Sequence, residues 1–307
     1  MKEKKLIIID SNSVIHRAFH ALPPLSTKSG ERVNVVYGFL LVLFRAIKDF
    51  QPDYIAAAFD LPKPTFRHAQ FKEYKGKRPP TPADLSSQIP KVKEILGAFN
   101  IPIFEKEGFE ADDIIGTIAN QKNEAEVIIL SGDLDSLQLV SSKVKIYFLR
   151  KGVKDTVLYD KDRVKEKYQG LDVFQVVDYK ALRGDASDNI PGVRGIGEKT
   201  AIELILNFGS IENLYKEIEQ DLEKSKEMSP RIKELLLSNK ENAFLSKKLS
   251  QLELSVPISF DLKQCYWIDY NKEAAKQLLE KYEFFSLIPR LPGQEEKKPE
   301  IKNPTLF

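Results

Sequence analysis

Nine carboxylates stand where a folded chain could gather them. Asp10, Asp60 and Asp133 each close a short apolar run (residues 6–9, 54–59 and 127–130), and Asp135 follows two residues after Asp133. Glu110, Asp112 and Asp113 open an expected helix, and Asp185 and Asp188 lie three apart in Arg183-Gly184-Asp185-Ala186-Ser187-Asp188-Asn189. Apolar runs without polar alternation read as strands covered on both faces of a parallel sheet. The carboxyl ends of such strands line one crevice, which is where ligands bind. Taken singly, each acid also reads as a cap or turn residue. Sharing one crevice, they would repel one another. Hard divalent cations answer that repulsion: Mg²⁺ favours carboxylate and water oxygens and leaves room for substrate phosphate. Two such ions about 4 Å apart can activate a water and stabilise the leaving oxygen of a phosphodiester. His16, His20 and His68 have no spacing that points to zinc, and Cys265, the single cysteine, excludes a disulfide framework or a multi-thiolate site.

Two further segments bear on phosphate. Between residues 61 and 80 six basic side chains (Lys63, Arg67, Lys72, Lys75, Lys77, Arg78) meet one acid, Glu73, with Phe66, Phe71 and Tyr74 interleaved. Cations for phosphates and aromatics for base stacking are the pattern of a single-strand channel. A solvated loop with its aromatics tucked beneath it is the bland alternative. The second segment, Gly192-Val193-Arg194-Gly195-Ile196-Gly197-Glu198-Lys199-Thr200, spaces glycines before a helix, so that backbone N–H groups can approach a phosphate. It is not a Walker loop, because Glu198 stands in the lysine place, and no strand precedes it as a dinucleotide fingerprint requires. A helix-hairpin-helix on a DNA backbone and a plain packing turn both remain open on these residues.

The elements that must position these groups follow from the same pattern. Strands are expected near residues 6–9, 54–59, 127–130 and 145–149, with helices over 36–50, 86–99 and 112–121 between them, an α/β three-layer arrangement. From about residue 172 the helical period takes over, at 173–183, 198–208, 211–218, 230–238 and 274–282. The Pro- and charge-rich stretch 292–307 reads as a linker or tail. The 307 residues carry 47 Lys+Arg against 45 Asp+Glu, a formal net charge of +2, which excludes a uniformly basic coat. The longest apolar stretch, 35–44, is about half of the roughly 20 residues a membrane helix needs. A soluble protein of a reduced, cytoplasmic compartment is expected.

Taken in order, these motifs resemble the N-terminal 5′-nuclease module of bacterial DNA polymerase I, a family whose core flap endonucleases share. The resemblance rests on Arg17-Ala18-Phe19-His20-Ala21-Leu22-Pro23-Pro24, Asn34-Val35-Val36-Tyr37-Gly38-Phe39, Phe59-Asp60, Phe66-Arg67, Tyr74-Lys75, Glu110-Ala111-Asp112-Asp113, Ser131-Gly132-Asp133-Leu134-Asp135, Gly184-Asp185-Ala186-Ser187-Asp188-Asn189-Ile190-Pro191-Gly192-Val193 and Gly195-Ile196-Gly197. It covers about residues 5–290 and implies a PIN-like, Rossmann-like, mostly parallel sheet with flanking helices. That core would occupy residues 1–171 with a basic arch at about 61–93. A helical helix-hairpin-helix DNA-binding subdomain would occupy 172–291, ahead of the tail at 292–307.

By motif match, Asp10, Asp60, Glu110, Asp112 and Asp113 would surround one Mg²⁺, and Asp133, Asp135, Asp185 and Asp188 a second, with Mn²⁺ as a substitute. Arg67, Lys75 and Arg78 match arch positions that contact the scissile phosphate, with Tyr74 placed to stack on a base and Lys77 beside it on the strand. Gly192, Val193, Arg194, Gly195, Ile196, Gly197, Lys199 and Thr200 match the hairpin that grips duplex DNA, where relatives also hold K⁺. The implied activity is removal of 5′ flaps and RNA primers by a monomer acting at the bacterial nucleoid. Water attacks in line to leave a 5′-phosphate and a 3′-hydroxyl, without a protein nucleophile. A polymerase domain would lie elsewhere in a longer chain or in another chain, since about seventeen residues follow Arg290. Two other readings compete: a PIN-type ribonuclease, which shares the acidic core, and a non-catalytic duplex-DNA-binding accessory module.

Overall fold

A computed structural model describes residues 3–121 and 124–293. Of the expected linker or tail at 292–307, all but Pro292 and Gly293 lie outside the described residues. The α/β part runs β1 Lys5–Asp10, α1 Ser11–Ala21, α2 Asn34–Phe50, β2 Tyr54–Ala58, α3 Phe66–Gln70, α4 Ala83–Ser86, α5 Ile89–Ala98, β3 Ile103–Phe104, α6 Ala111–Asn120, β4 Glu126–Ser131, β5 Val144–Lys151, β6 Asp155–Tyr159 and α7 Lys161–Lys167. The helical part follows with α8 Val176–Arg183, α9 Glu198–Phe208, α10 Ile211–Glu219, α11 Glu223–Lys226, α12 Pro230–Ser238, α13 Lys240–Ser250 and α14 Lys272–Lys281.

The six strands form one sheet in the order β3-β2-β1-β4-β5-β6. Every neighbouring pair is parallel except β5 with β6, whose strands run antiparallel at the edge. Leu6 and Ile8 of β1 face one apolar core while Ile7 and Ile9 face the other, so an unbroken apolar run is what burial on both faces demands. Asp10 pairs with Ala58, and Ile9 with Leu130, which brings Asp10, Asp60 and Asp133 to the same carboxyl edge.

The first core continues without a break into α8, α9 and α10, so the helical unit is built onto one face of the sheet. The second core holds α2 and α5 against Trp267, Tyr270, Leu279, Tyr282 and Leu287. Residues 267–291, assigned by sequence to the helical subdomain, therefore pack on the α/β layer, pinned there by the Trp267 indole N–H donating to the Pro52 carbonyl at 3.0 Å. The helix expected over 86–99 is interrupted, because Pro90 can sit only in the first turn of α5. No helix of the described residues is long and apolar enough to cross a membrane.

Candidate active site

At the carboxyl edge of the sheet an open cavity of about 310 Å³ is lined by Asp10, Asp60, Glu110, Asp112 and Asp133. Three of these acids are aimed by neutral donors. Asp10 ends β1 and caps α1, accepting the Ser13 amide at 3.1 Å and the Ser131 hydroxyl at 2.6 Å. Asp60 accepts the Ala111 amide at 2.7 Å, tying the end of β2 to the start of α6. Asp133 accepts the Asp135 amide at 2.9 Å. Asp112, in the first turn of α6, has its Oδ1 buried without a hydrogen-bond partner among the described residues. The capping reading of these residues and the pocket reading thus hold together: the caps fix where the charges point.

The electrostatics are those of a crowded anion cluster. Burial, with added repulsion from Asp60 and Asp133, pushes Asp10 up to about 7. Burial also raises Asp60, and it raises Asp112 well above the usual carboxylate range, helped by Asp10, Asp133, Asp60 and Asp135.

The remaining acids are held by cations. Glu110 pairs with Lys75 at 2.7 Å and accepts the Tyr74 hydroxyl at 3.2 Å. Asp188 pairs with Arg78 and accepts the same hydroxyl at 3.2 Å. Lys180, on α8, pairs with Asp135 and lies 3.1 Å from Asp185. Asp135 is still pushed up to about 7, because burial outweighs Lys180. At the less buried Asp185 the burial effect is smaller than the pull of Lys180 and the Ser187 hydrogen bonds, and its pKa is lowered.

Three expectations are corrected here. Asp113, one residue from Asp112, does not enter the cavity: it is fully buried and takes a bidentate pair from Arg67 at 2.7 and 2.8 Å, plus the Glu253 amide at 2.9 Å. Arg67 is correspondingly 1% exposed and also donates to the Leu249 and Gln251 carbonyls, so it is no arch cation for the scissile phosphate. Tyr74 is 3% exposed and spends its hydroxyl on Glu110 and Asp188, so it offers no face to a base. The basic loop is thus part bland and part functional: its aromatics are tucked under, while Lys75 and Arg78 line the cavity and Lys77 is exposed beside them.

In the glycine hairpin, Gly192, Val193 and Ile196 are buried, with their amides donated to Ser246, Leu182 and Val193 respectively. Arg194, Gly195, Gly197 and Lys199 face solvent, Thr200 is half-buried, and Gly197 begins α9 without a side-chain cap. That exposed edge, with the positive end of α9, is what a phosphate would meet.

Sequence reasoning missed Lys180, whose one signal was a lysine five residues before Asp185 in an otherwise buried helix. It also missed His16, Arg17, Asn12 and Ser13, which line the cavity from α1. Asn12 accepts the Asp60 amide at 3.0 Å and Ser13 the Gly132 amide at 2.7 Å.

The donor set fits hard cations: oxygen ligands throughout, one buried carboxylate oxygen left over, and a charge excess that nothing neutral removes. Among the described residues no three acidic, histidine or cysteine side chains converge closely enough to cage an ion as they stand. Lys75, Arg78 and Lys180 hold four of the acids, Glu110, Asp188, Asp135 and Asp185, in ion pairs.

A mostly parallel sheet with an acidic edge, flanked by a cationic loop and a glycine hairpin, is the class of fold that phosphodiester hydrolases use. Residues 5–169 match the family described as 5′-3′ exonuclease, N-terminal resolvase-like domain, and residues 171–284 match 5′-3′ exonuclease, C-terminal SAM fold. The chain belongs to this 5′-3′ exonuclease family, a family of nucleases, and the fold class expected from sequence is the one observed. It is 42% identical over 292 residues to DNA polymerase I of Bacillus subtilis (strain 168), covering 94% of this chain and 32% of that protein. It is 45% identical over 291 residues to DNA polymerase I of Caldicellulosiruptor bescii, covering 94% and 33%. The chain thus spans about a third of the length of these curated relatives. Its fold is similar to that of bacteriophage T5 5′-exonuclease with divalent zinc bound (TM-score 0.64, 23% identity, 90% of this chain and 99% of that one).

Proposed function

We propose that this chain is a structure-directed 5′ nuclease that hydrolyses DNA phosphodiesters at 5′ ends and flap junctions, RNA primers included, with Mg²⁺ as its cofactor and Mn²⁺ as a substitute. The observation that carries this reading is the unpartnered Asp112 oxygen among Asp10, Asp60 and Asp133, in a cavity whose open side carries Lys75 and Arg78. Asp10, Asp60, Asp112 and Asp133 are the residues to hold one divalent ion, with Glu110, Asp135, Asp185 and Asp188 serving a second. Bound there, two ions would supply an activated water and neutralise charge on the leaving oxygen.

The rest follows from the chain's own residues. Arg194, Gly195, Gly197 and Lys199 take the backbone of the duplex without reading sequence, with K⁺ as a further ligand of that hairpin. Lys75 and Arg78 leave Glu110 and Asp188 for the scissile phosphate, and Lys77 steers the single strand. The protein acts as a monomer in the bacterial cytoplasm, beside a polymerase domain of the same or another chain.

The test is cleavage of a 5′-labelled flap duplex, a blunt duplex and a single-stranded RNA, each in Mg²⁺ and in EDTA. Metal-dependent cutting at the flap junction is expected. Cutting of the RNA alone would move the assignment to a PIN-type ribonuclease, and tight flap binding without product would leave an accessory DNA-binding module.

A further inference from the structure

We propose that Ser246, in the middle of α13, is a positioning residue that holds the glycine hairpin and the Asp185–Asp188 turn at one fixed spacing, so that duplex binding and the acidic cavity are set in register. The inference rests on the nuclease reading above and concerns how that site is kept aligned.

The backbone between residues 182 and 193 is closed on itself. Asp185 donates its amide to the Ile190 carbonyl at 3.0 Å and Ile190 donates back at 2.8 Å, while the Val193 amide reaches the Leu182 carbonyl at 2.8 Å. Asp185 and Asp188 lie within the closed turn, and the hairpin leaves from its end. Gly184 and Gly192 touch backbone to backbone: a Cβ on Gly192, at φ +62°, would stand 2.4 Å from the Gly184 nitrogen. Moving either glycine therefore moves the other, and with it Asp185.

One amide of this closure is satisfied from outside it. Gly192 donates to the Ser246 hydroxyl at 2.9 Å, in a contact buried on both sides. Ser246 is fully buried, so no water can take its place. The helix that carries it is itself fixed at two points: Lys247 pairs with Asp178 and Glu212, both at 2.7 Å, and the Leu249 carbonyl accepts Arg67 Nε at 2.9 Å. The serine is thus the point at which a braced helix grips the turn. Without the hydroxyl, a buried N–H is left unpaired, and the turn must shift to satisfy it.

The same helix provides a matched control. Ser250 is 4% exposed and its hydroxyl makes no hydrogen bond among the described residues, so Ser250→Ala removes an equal volume without removing a grip.

The experiment compares the full chain with Ser246→Ala and Ser250→Ala in flap cleavage kinetics, Mg²⁺ titration and amide exchange of the 184–197 segment by mass spectrometry in EDTA. Ser246→Ala is expected to exchange faster in that segment, to raise KM for the flap about tenfold with kcat within about twofold, and to need several-fold more Mg²⁺ for half-maximal rate. Ser250→Ala should match wild type in all three readings. If Ser246→Ala is unfolded at assay temperature, Ser246→Cys, whose sulfur is a weak acceptor, is expected to give the same pattern in smaller degree. Wild-type exchange, KM and Mg²⁺ dependence in a folded Ser246 variant would overturn the proposal, as would the same shifts in Ser250→Ala. A wild-type chain that leaves every flap intact would instead overturn the nuclease reading, and this inference with it.

Discussion

The two sides of the acidic cavity are built differently. On the sheet side, Asp10, Asp60, Asp112 and Asp133 meet amides and a hydroxyl, or nothing, and among the described residues none of the four is ion-paired with a lysine or arginine. On the side toward the helical part, Glu110 of the cavity wall and Asp135, Asp185 and Asp188 outside its lining are ion-paired with Lys75, Lys180 and Arg78. Neutral donors orient a carboxylate without cancelling it, whereas a lysine or arginine orients and cancels at once. The sheet side is therefore built to be neutralised by something bound, and the helical side must exchange partners before it can bind anything. The division by neighbour differs from the one that motif matching implies, which set Glu110 with Asp10 and Asp133 with Asp185.

The largest effects should come from the adjacent pair Asp112 and Asp113. Asp112→Asn removes a charge that repels its neighbours, so cleavage is expected to fall at least about a thousandfold while flap binding stays within a few-fold and Tm holds or rises. Asp113→Asn removes one partner of a buried ion pair, which costs about 3–5 kcal/mol and should lower Tm by about 10 °C. Its surviving folded fraction should still cut. Rate and melting measurements on both variants decide the matter: near wild-type turnover in Asp112→Asn would remove it from the ligand set, and an unchanged Tm in Asp113→Asn would show that the Arg67 pair holds nothing.

A smaller effect tests the sheet side, to which Asp135, raised despite its pair with Lys180, adds a slope of the same sign. Asp10 and Asp135 are pushed up to about 7 by burial, and Asp60 and Asp112 are raised too. Acids raised in the fold hold protons that the unfolded chain releases, so their contribution to stability is complete below the unfolded value of 3.8 and is lost as pH climbs through about 7. Acids with lowered pKa, such as Asp185, are already ionised above about pH 5 and add no slope there. Tm in EDTA is therefore expected to fall by several degrees between about pH 5 and 8, and millimolar Mg²⁺ to reverse the fall by binding the deprotonated cluster. A flat EDTA profile would erase the contrast between the two sides.

How far the sequence announced this arrangement depends on whether the information was local. The strands ending at Asp10, Asp60 and Asp133 were legible because burial on both faces leaves an unbroken apolar run within six residues. Edge strand β6 is half-buried throughout, and β3 is two residues long, so neither leaves such a run. α13 reads as polar because one face alone packs inward, with Ala243, Ser246 and Leu249 among its buried positions. The misplacements of Arg67 and Tyr74 have one cause. Their partners lie 46 residues away at Asp113, and 36 and 114 residues away at Glu110 and Asp188. Charge and aromaticity counted along a loop cannot register a partner at that distance, so both side chains looked free.

Tyr74 offers the finest test of the comparison, because its hydroxyl is, among the described residues, the one group that touches Glu110 and Asp188 together. Tyr74→Phe keeps the ring, which sits edge-on to His68 with centroids 5.4 Å apart, and deletes only the hydroxyl. Were the ring a stacking platform for a base, the phenylalanine would serve as well and the variant would be silent. If instead the hydroxyl steadies two carboxylates that must part from Lys75 and Arg78, losing it frees both to drift toward those cations. Hydrogen bonds to charged groups are worth about 1.5–3 kcal/mol each, of which water entering the cavity will restore a part. A fivefold to tenfold loss of kcat, roughly 1–1.4 kcal/mol, with unchanged flap affinity is the expected outcome. Single-turnover rates and flap binding of the Phe variant separate the two accounts, since a stacking ring leaves both at wild type and the carboxylate tether alters the chemical step alone.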